Sequence, residues 1–178
     1  MDIGKDQRER LKSWLHRYQE LQSDAARLLD RLDELRNRIQ SARTTHIDGL
    51  PHGSGGDVDR IGGIVAQLEE VEEEAREAQE AATAARREIE TAIRKITGRG
   101  WADRREVLRL RYIDGLRWED ATERLFGDDP KFWDRQDVFL RRAFKLHRAA
   151  LEALAQFVPL EQGQENDTET EDKKHEYF

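Results

Sequence analysis

The stretch LKSWLHRYQELQSDAARLLDRLDELRNRIQSA, residues 11–42, contains no glycine or proline, and its apolar residues fall on one stripe. Leu11, Trp14, Tyr18, Leu21, Ala25, Leu28, Leu32, Leu35, Ile39 and Ala42 follow one another at alternating intervals of three and four residues. That period, held for more than four heptads, is the pattern of a helix whose narrow seam packs against another helix. The same alternation returns in Ile61, Ile64, Leu68, Val71, Ala75, Ala78, Ala82, Ala85, Ile89, Ala92 and Ile96. The two seams mirror each other. Leu11 with Ile96, Tyr18 with Ile89, Ala25 with Ala82, Leu32 with Ala75 and Ile39 with Leu68 share an index sum of 107. The mirror point falls between Gly53 and Ser54, within residues 44–60, where Gly49, Pro51, Gly53, Gly55 and Gly56 break both helical patterns. The sequence therefore predicts an antiparallel coiled-coil hairpin over 5–97, with a flexible tip loop at 44–60 and arms of roughly 50 Å.

Composition agrees with an extended helical protein. Of 178 residues, 39% are charged, 37% hydrophobic and 7% aromatic, too few apolar groups for one large globular core. The absence of cysteine excludes disulfides and thiolate metal sites and suits a reducing cytoplasm. No apolar run is long enough to span a membrane and no signal-like start is visible, so no membrane role is expected. The net charge of −7 argues against a nonspecific nucleic-acid coat while leaving room for a local basic patch.

Nothing on the seams is catalytic. His46, Asp48, His52, Asp57 and Asp59 lie in the tip loop, but their spacing fits neither a zinc nor a calcium site. The GSGG at 53–56 lacks the Lys-Ser/Thr of a phosphate loop. No nucleophile–base pair or paired-carboxylate cleft can be assembled, so the chain reads as a non-enzyme without cofactor or metal. The polar, acidic residues 159–178 read as a disordered tail.

A different texture begins after Gly98-Arg99-Gly100. Residues 103–157 read as three helices, making an all-α second domain over 101–158. Asp103, with Glu106 three positions on, suggests the first N-cap, and Asp114-Gly115 the stop. Trp118, Ala121 and Leu125 mark a short second helix. Gly127-Asp128-Asp129-Pro130 forms a turn, with Pro130 placed to open a long third helix that runs to about Phe157. On that helix Leu140, Phe144, His147, Leu151 and Leu154 form the expected inward stripe, with His147 read as a core residue and not a ligand. Phe144 and His147 are expected to be buried near Leu108 and Leu125. Arg141, Lys145 and Arg148 share a neighbouring face, flanked by Arg142. Between Arg135 and Arg148 five basic residues stand against the single acid Asp137, a local excess of +4. A short helix, a turn and a longer helix with a basic stripe is the helix-turn-helix arrangement, whose last helix enters the major groove. The candidate DNA-binding residues are Arg117, Arg135, Arg141, Arg142, Lys145 and Arg148.

REVLRLRYIDGLRWEDATERL, residues 105–125, resembles region 4 of sigma-70-type RNA polymerase sigma factors, and LRRAFKLHRAALEAL, residues 140–154, resembles its recognition helix. The layout, including the loop IDGLPHGSGG at 47–56, is similar to small phage-encoded regulators of the ArpU type. The resemblance implies a phage or prophage transcription regulator that acts on double-stranded promoter DNA, on RNA polymerase, or on both. The chain departs from the pattern at Thr122 and Phe126, where small residues are expected, and at Gly127, which comes one residue late. Its connection at 126–139 is about ten residues longer than a tight turn. Two other readings stay open: a DNA-recognition subunit like the small terminases of packaging machines, and a protein–protein adaptor that binds no DNA. The hairpin suits a spacer or a homodimer seam.

Overall fold

The structure, a computed structural model, describes residues 4–44 and 56–158. Among these residues the fold is all-α, with five α-helices and no strand. Helices α1 (Lys5–Thr44) and α2 (Gly56–Arg94) are the hairpin arms, 40 and 39 residues long. At 1.5 Å per residue each reaches about 60 Å. α2 begins at Gly56, so residues 56–60 are helical and do not belong to a breaker. A glycine costs little there because the first amides of a helix have no intrahelical acceptor in any case. The expected chain reversal at Gly53 and the acidic tail 159–178 lie outside the described residues.

Cross-helix pairs fix the direction and register of the arms. Arg17 pairs with Glu88 near the root, and Arg36 Nη2 lies 2.8 Å from Glu72 further out. As one index rises the other falls, so the arms are antiparallel. Both pairs lie within two residues of the expected register, whereas a heptad slip would displace them by seven. Leu32, Leu35, Val71 and Ala75 are all buried in one distal cluster, flanked by Leu28, Ile64 and Leu68. Leu32 is only 4% exposed. Leu32→Glu removes a buried leucine from this cluster and sets a carboxylate in an apolar seam, so it is expected to destabilise the hairpin by several kcal/mol. Urea unfolding followed by circular dichroism measures this; a loss below about 0.5 kcal/mol, the scatter of ordinary surface changes, contradicts the register.

The root of the hairpin has a second packing partner. Leu11, Leu15, Ile89, Ile93 and Ile96 share one core with Val107, Leu108, Tyr112, Leu151, Leu154 and Val158. Leu15 and Ile93 stand off the heptad seam yet are 0% and 1% exposed. They are buried because the C-terminal helices cover a side of the root that the seam leaves open. Trp14, on the seam, is only partly buried. Gln19 Nε2 donates to the Arg111 carbonyl at 2.7 Å, tying α1 to the same helices by a polar contact.

Helix α3 (Trp101–Leu108) is capped by Gly100, in the left-handed region at φ 70°, and not by Asp103, which falls in the first turn. There the Asp103 carboxylate offsets the positive end of the helix dipole without capping. α3 continues directly into a π-helical turn, Arg109–Ile113. Val107, Leu108, Leu110, Tyr112 and Ile113 are all buried. Five inward positions out of seven exceed one face of a 3.6-residue helix, and the wider turn brings them in together. Helix α4 is Trp118–Phe126. Helix α5 is Gln136–Leu154 and starts six residues after Pro130, so the expected start at the proline is corrected. Residues between them form successive turns, with Asp129 N bonded to Phe126 O at 2.9 Å, Phe132 N to Asp129 O at 2.8 Å and Arg135 N to Phe132 O at 3.1 Å.

Candidate nucleic-acid interface

α4 is placed by its own amphipathicity. Ala121 and Thr122 are buried, and the Thr122 hydroxyl donates to the Trp118 carbonyl at 2.6 Å. A hydroxyl is thus accommodated at a crowded position because a backbone acceptor one turn earlier satisfies it. Gly127 closes the helix with its amide 2.6 Å from the Glu123 carbonyl. A Cβ at that position would stand 2.6 Å from the same oxygen, so only glycine fits. The connection that follows is anchored by Phe132, 3% exposed, which packs against Phe139 at 5.5 Å between ring centroids. Phe126 meets Phe139 at 5.6 Å, so these three rings join α4, the connection and α5. Trp133, next in the chain, is left 63% exposed.

α5 is rotated slightly from the expected stripe. Its buried residues are Phe139, Ala143, His147, Ala150, Leu151 and Leu154. Leu140 is half-buried and Phe144 is 43% exposed, so the expected burial of Phe144 is corrected. The small side chains Ala143 and Ala150, both 0% exposed, take the closest approach, which has no room for Phe144. Phe144 instead lies edge-on to Trp118 with centroids 4.7 Å apart, at the margin of the interface. His147 is buried as expected, 8% exposed, with its ring centroid 5.0 Å from that of Trp118.

His147 Nε2 lies 2.9 Å from the Tyr112 hydroxyl. Burial lowers the imidazole pKa to about 4, helped by the positive field of Lys12, Arg111 and His16. Burial also pushes the Tyr112 phenol up to about 12. The phenol therefore keeps its proton and donates it to an unprotonated Nε2. The pair holds α5 against the π-helical turn. With His16 lying across the Tyr112 ring at 4.8 Å, the contact extends to α1.

The rotation leaves the basic face outward. Arg141, Lys145 and Arg148 are exposed and span an arc of about 60° on the helix wheel. Arg141 and Arg148 stand seven residues apart, about 10 Å along the axis, a length that suits the width of a major groove. Arg141 Nε donates to the Asp137 carbonyl at 3.2 Å, and Lys145 has no hydrogen-bond or ion-pair partner among the described residues. Arg148 Nε lies 3.1 Å from Glu152, so one cation of the face is partly neutralised. The Arg142 guanidinium stacks over Phe126 at 4.7 Å, which fixes its charge beside the end of α4. Arg135 and Arg117 are exposed at the N-cap positions of α5 and α4. Five of the six candidates thus lie on α5 or at its start, and Arg117 lies at the start of α4. The reading from sequence, confined to the C-terminal helices, passes over exposed cations at the hairpin root, among them Lys95 and Arg99.

Among the described residues no helix is long and apolar enough to cross a membrane, and no group of three His, Cys, Asp or Glu is placed to hold a metal. Comparison with known protein families, with curated proteins and with solved structures finds no match to this chain.

Proposed function

We propose that the chain is a DNA-binding transcriptional regulator of the phage and prophage kind, which reads double-stranded promoter DNA through α5 and has RNA polymerase as a second partner. The observation that carries this reading is the outward face of α5, where Arg141, Lys145 and Arg148 are exposed while the opposite face is anchored on α3, α4 and the hairpin root. A rigidly backed helix with its cations outward suits docking in a groove lined by phosphates. The long hairpin then serves as a stem or a homodimer seam, in a regulator working in the bacterial cytoplasm. The test is a salt titration of binding to a promoter-derived duplex library. Wild-type binding should weaken by about 0.9 log unit per log unit of salt for each phosphate neutralised. Lys145→Ala should flatten that slope by about one unit, while Arg27→Ala on the stem should leave it unchanged. A residue that reads a guanine should instead cost about 1–3 kcal/mol on the cognate site alone.

A protein–protein adaptor is the second reading. It is favoured by the exposure of Trp133 at 63%, Val138 at 50% and Phe144 at 43%, apolar residues on and beside α5. It predicts no salt-steep DNA binding and no difference between Lys145→Ala and Arg27→Ala.

A further inference from the structure

The charge count that singles out α5 finds a second place in the chain. Residues 94–105 hold Arg94, Lys95, Arg99, Arg104 and Arg105 against the single acid Asp103, again an excess of +4 in a chain of net −7. The hairpin register sets the start of this segment, Arg94 and Lys95, near the first turns of α1, where Lys5, Arg8, Arg10 and Lys12 stand against Asp6 and Glu9. Together they make a basic collar at the root. The stem beyond is of opposite sign, since residues 69–80 carry seven glutamates and one arginine.

Part of the collar has structural work. Arg105 Nε donates to the Ile96 carbonyl at 3.0 Å and its Nη2 to the Arg94 carbonyl, so it closes the C-terminal end of α2. Its guanidinium also lies 4.3 Å from the centre of the Trp101 ring. Arg94 pairs with Glu90 at 3.2 Å, and Lys12 with Glu9 at 2.8 Å. Cations near the end of α2 also complement its dipole. Lys95, Arg99 and Arg104 are left over. They have no hydrogen-bond or ion-pair partner through their side chains among the described residues; Lys95 and Arg99 are exposed and Arg104 is half-buried. Arg99 sits between Gly98 at φ 91° and Gly100 at φ 70°, left-handed positions that hold a tight turn. Arg105 and Trp101 back that turn, so the charge is presented from a fixed loop.

The collar is not the α5 face. Lys95 lines a shallow cleft of about 350 Å³ with Trp14, Phe157 and Val158, just past the C-terminal end of α5. From Leu154 back to Arg141 is thirteen residues, about 20 Å along the helix. A duplex carries a negative charge about every 1.7 Å of its axis, so phosphates recur throughout such a span.

We propose that Lys95, Arg99 and Arg104 form a second phosphate-contacting surface, which binds the DNA backbone beyond the segment read by α5. This rests on the DNA-binding reading above and adds to it where the duplex runs: across the root, with the acidic stem directed away. Such a surface carries no sequence information. It sets the register and orientation of α5 on the duplex.

The experiment compares Lys95→Ala/Arg99→Ala/Arg104→Ala with wild type on a 30-base-pair duplex, by fluorescence anisotropy from low to high salt. Arg105 is left intact because it closes α2, and an unchanged thermal melt checks the fold. The triple variant is expected to flatten the log–log slope by two to three units, a loss of up to about 500-fold at 0.1 M salt relative to the 1 M extrapolation. The stem variant Arg27→Ala/Arg31→Ala/Arg38→Ala, which removes the same charge, is expected to change neither. If wild type binds with a steep slope and the collar variant matches it, the collar is not a DNA contact and the α5 reading stands. If wild type shows no salt-dependent DNA binding, the function proposed above fails and the collar proposal falls with it. Binding of wild type to phosphatidylserine vesicles in place of DNA, lost in the collar variant, overturns the assignment of the partner.

Discussion

Replacing Arg141, Lys145 and Arg148 together with alanine is expected to weaken DNA binding roughly 60- to 500-fold at 0.1 M salt, with convergence towards wild type near 1 M. The range follows from the geometry of the face. Arg141, bonded only to the Asp137 carbonyl, and Lys145 have no carboxylate to leave, so each contributes about 0.9 to the log–log slope. Arg148 must first leave Glu152, 3.1 Å away, and its net contribution runs from nothing to that of a full contact. Two effective contacts give the lower figure and three the upper. Glu152→Gln resolves the point, because it frees Arg148 and should steepen the wild-type slope by up to one unit. The fold should survive both changes, since all three cations are exposed and the buried side of α5 is untouched. Loss of binding at all salt concentrations alike would mean that the face acts through apolar or base contacts and not through phosphate. No loss from a tightly binding wild type would move the DNA contact off this face, whereas equally poor binding by both proteins would leave the exposed Trp133, Val138 and Phe144 as the interacting surface and favour the adaptor.

The hairpin was legible because its information is local and repeated. An alternation of three and four needs only one sequence, and two mirrored alternations fix the register to within the two residues by which Arg17–Glu88 and Arg36–Glu72 deviate. What that pattern could not contain is the second packing surface at the root. Leu15 and Ile93 are large apolar residues off the seam, and each looks like an ordinary exposed leucine or isoleucine until α3 and α5 cover it. Off-seam apolar residues alone are no sufficient signal, since Leu29 and Val65 also stand off the seam and remain 40% and 37% exposed further out.

The rotation of α5 was lost for a related reason. A stripe drawn through the largest apolar residues selects Leu140 and Phe144, whereas helices at close approach select the smallest. Ala143 and Ala150 are buried completely, and Phe144 is displaced onto the rim of Trp118. Arg141, Lys145 and Arg148 remain exposed because they sit far enough round the helix for a rotation of this size. The start of α5 was misplaced because Pro130 is compatible with a first helical turn but equally with the turns that Phe132 anchors. The role of Phe132 depends on Phe139 meeting it, and on Phe126 meeting Phe139 in turn, which no local pattern reports. The collar carries no helical periodicity, because its cations are divided among the end of α2, the turn that follows it and the start of α3. A running count of charge along the chain, applied without regard to secondary structure, finds it.

The buried His147 leads to an expected loss of stability of about 2 kcal/mol between about pH 7 and pH 5. In the folded chain its pKa is about 4, against an ordinary value of 6.5, with burial as the main cause. Between those values the unfolded chain binds a proton that the folded chain does not. Stability is therefore full above about pH 6.5 and falls as the pH drops towards 4. Carboxylates held low by partners, such as Glu9 beside Lys12 and Glu90 beside Arg86, act in the same direction. Their ordinary value is 4.5, so the interval above pH 5 belongs mainly to the histidine. Protonation would oblige Nε2 to donate to the Tyr112 oxygen, so the phenol proton would lose the acceptor it holds in the folded chain. It would also put a third positive charge near Lys12 and Arg111. His147→Gln keeps a polar group that can accept from Tyr112 but cannot titrate. Urea unfolding of the two proteins at pH 7 and pH 5 should show the drop in wild type and most of it gone in the variant. An equal drop in both would place the titrating group elsewhere. His147 stands one residue before Arg148 on the helix that carries the basic face, and its contacts with Tyr112 and Trp118 hold that helix to the root. Between pH 7 and pH 5, wild-type DNA binding should therefore weaken only as far as the folded fraction falls, because phosphate-contacting arginines and lysines keep their charge throughout that interval.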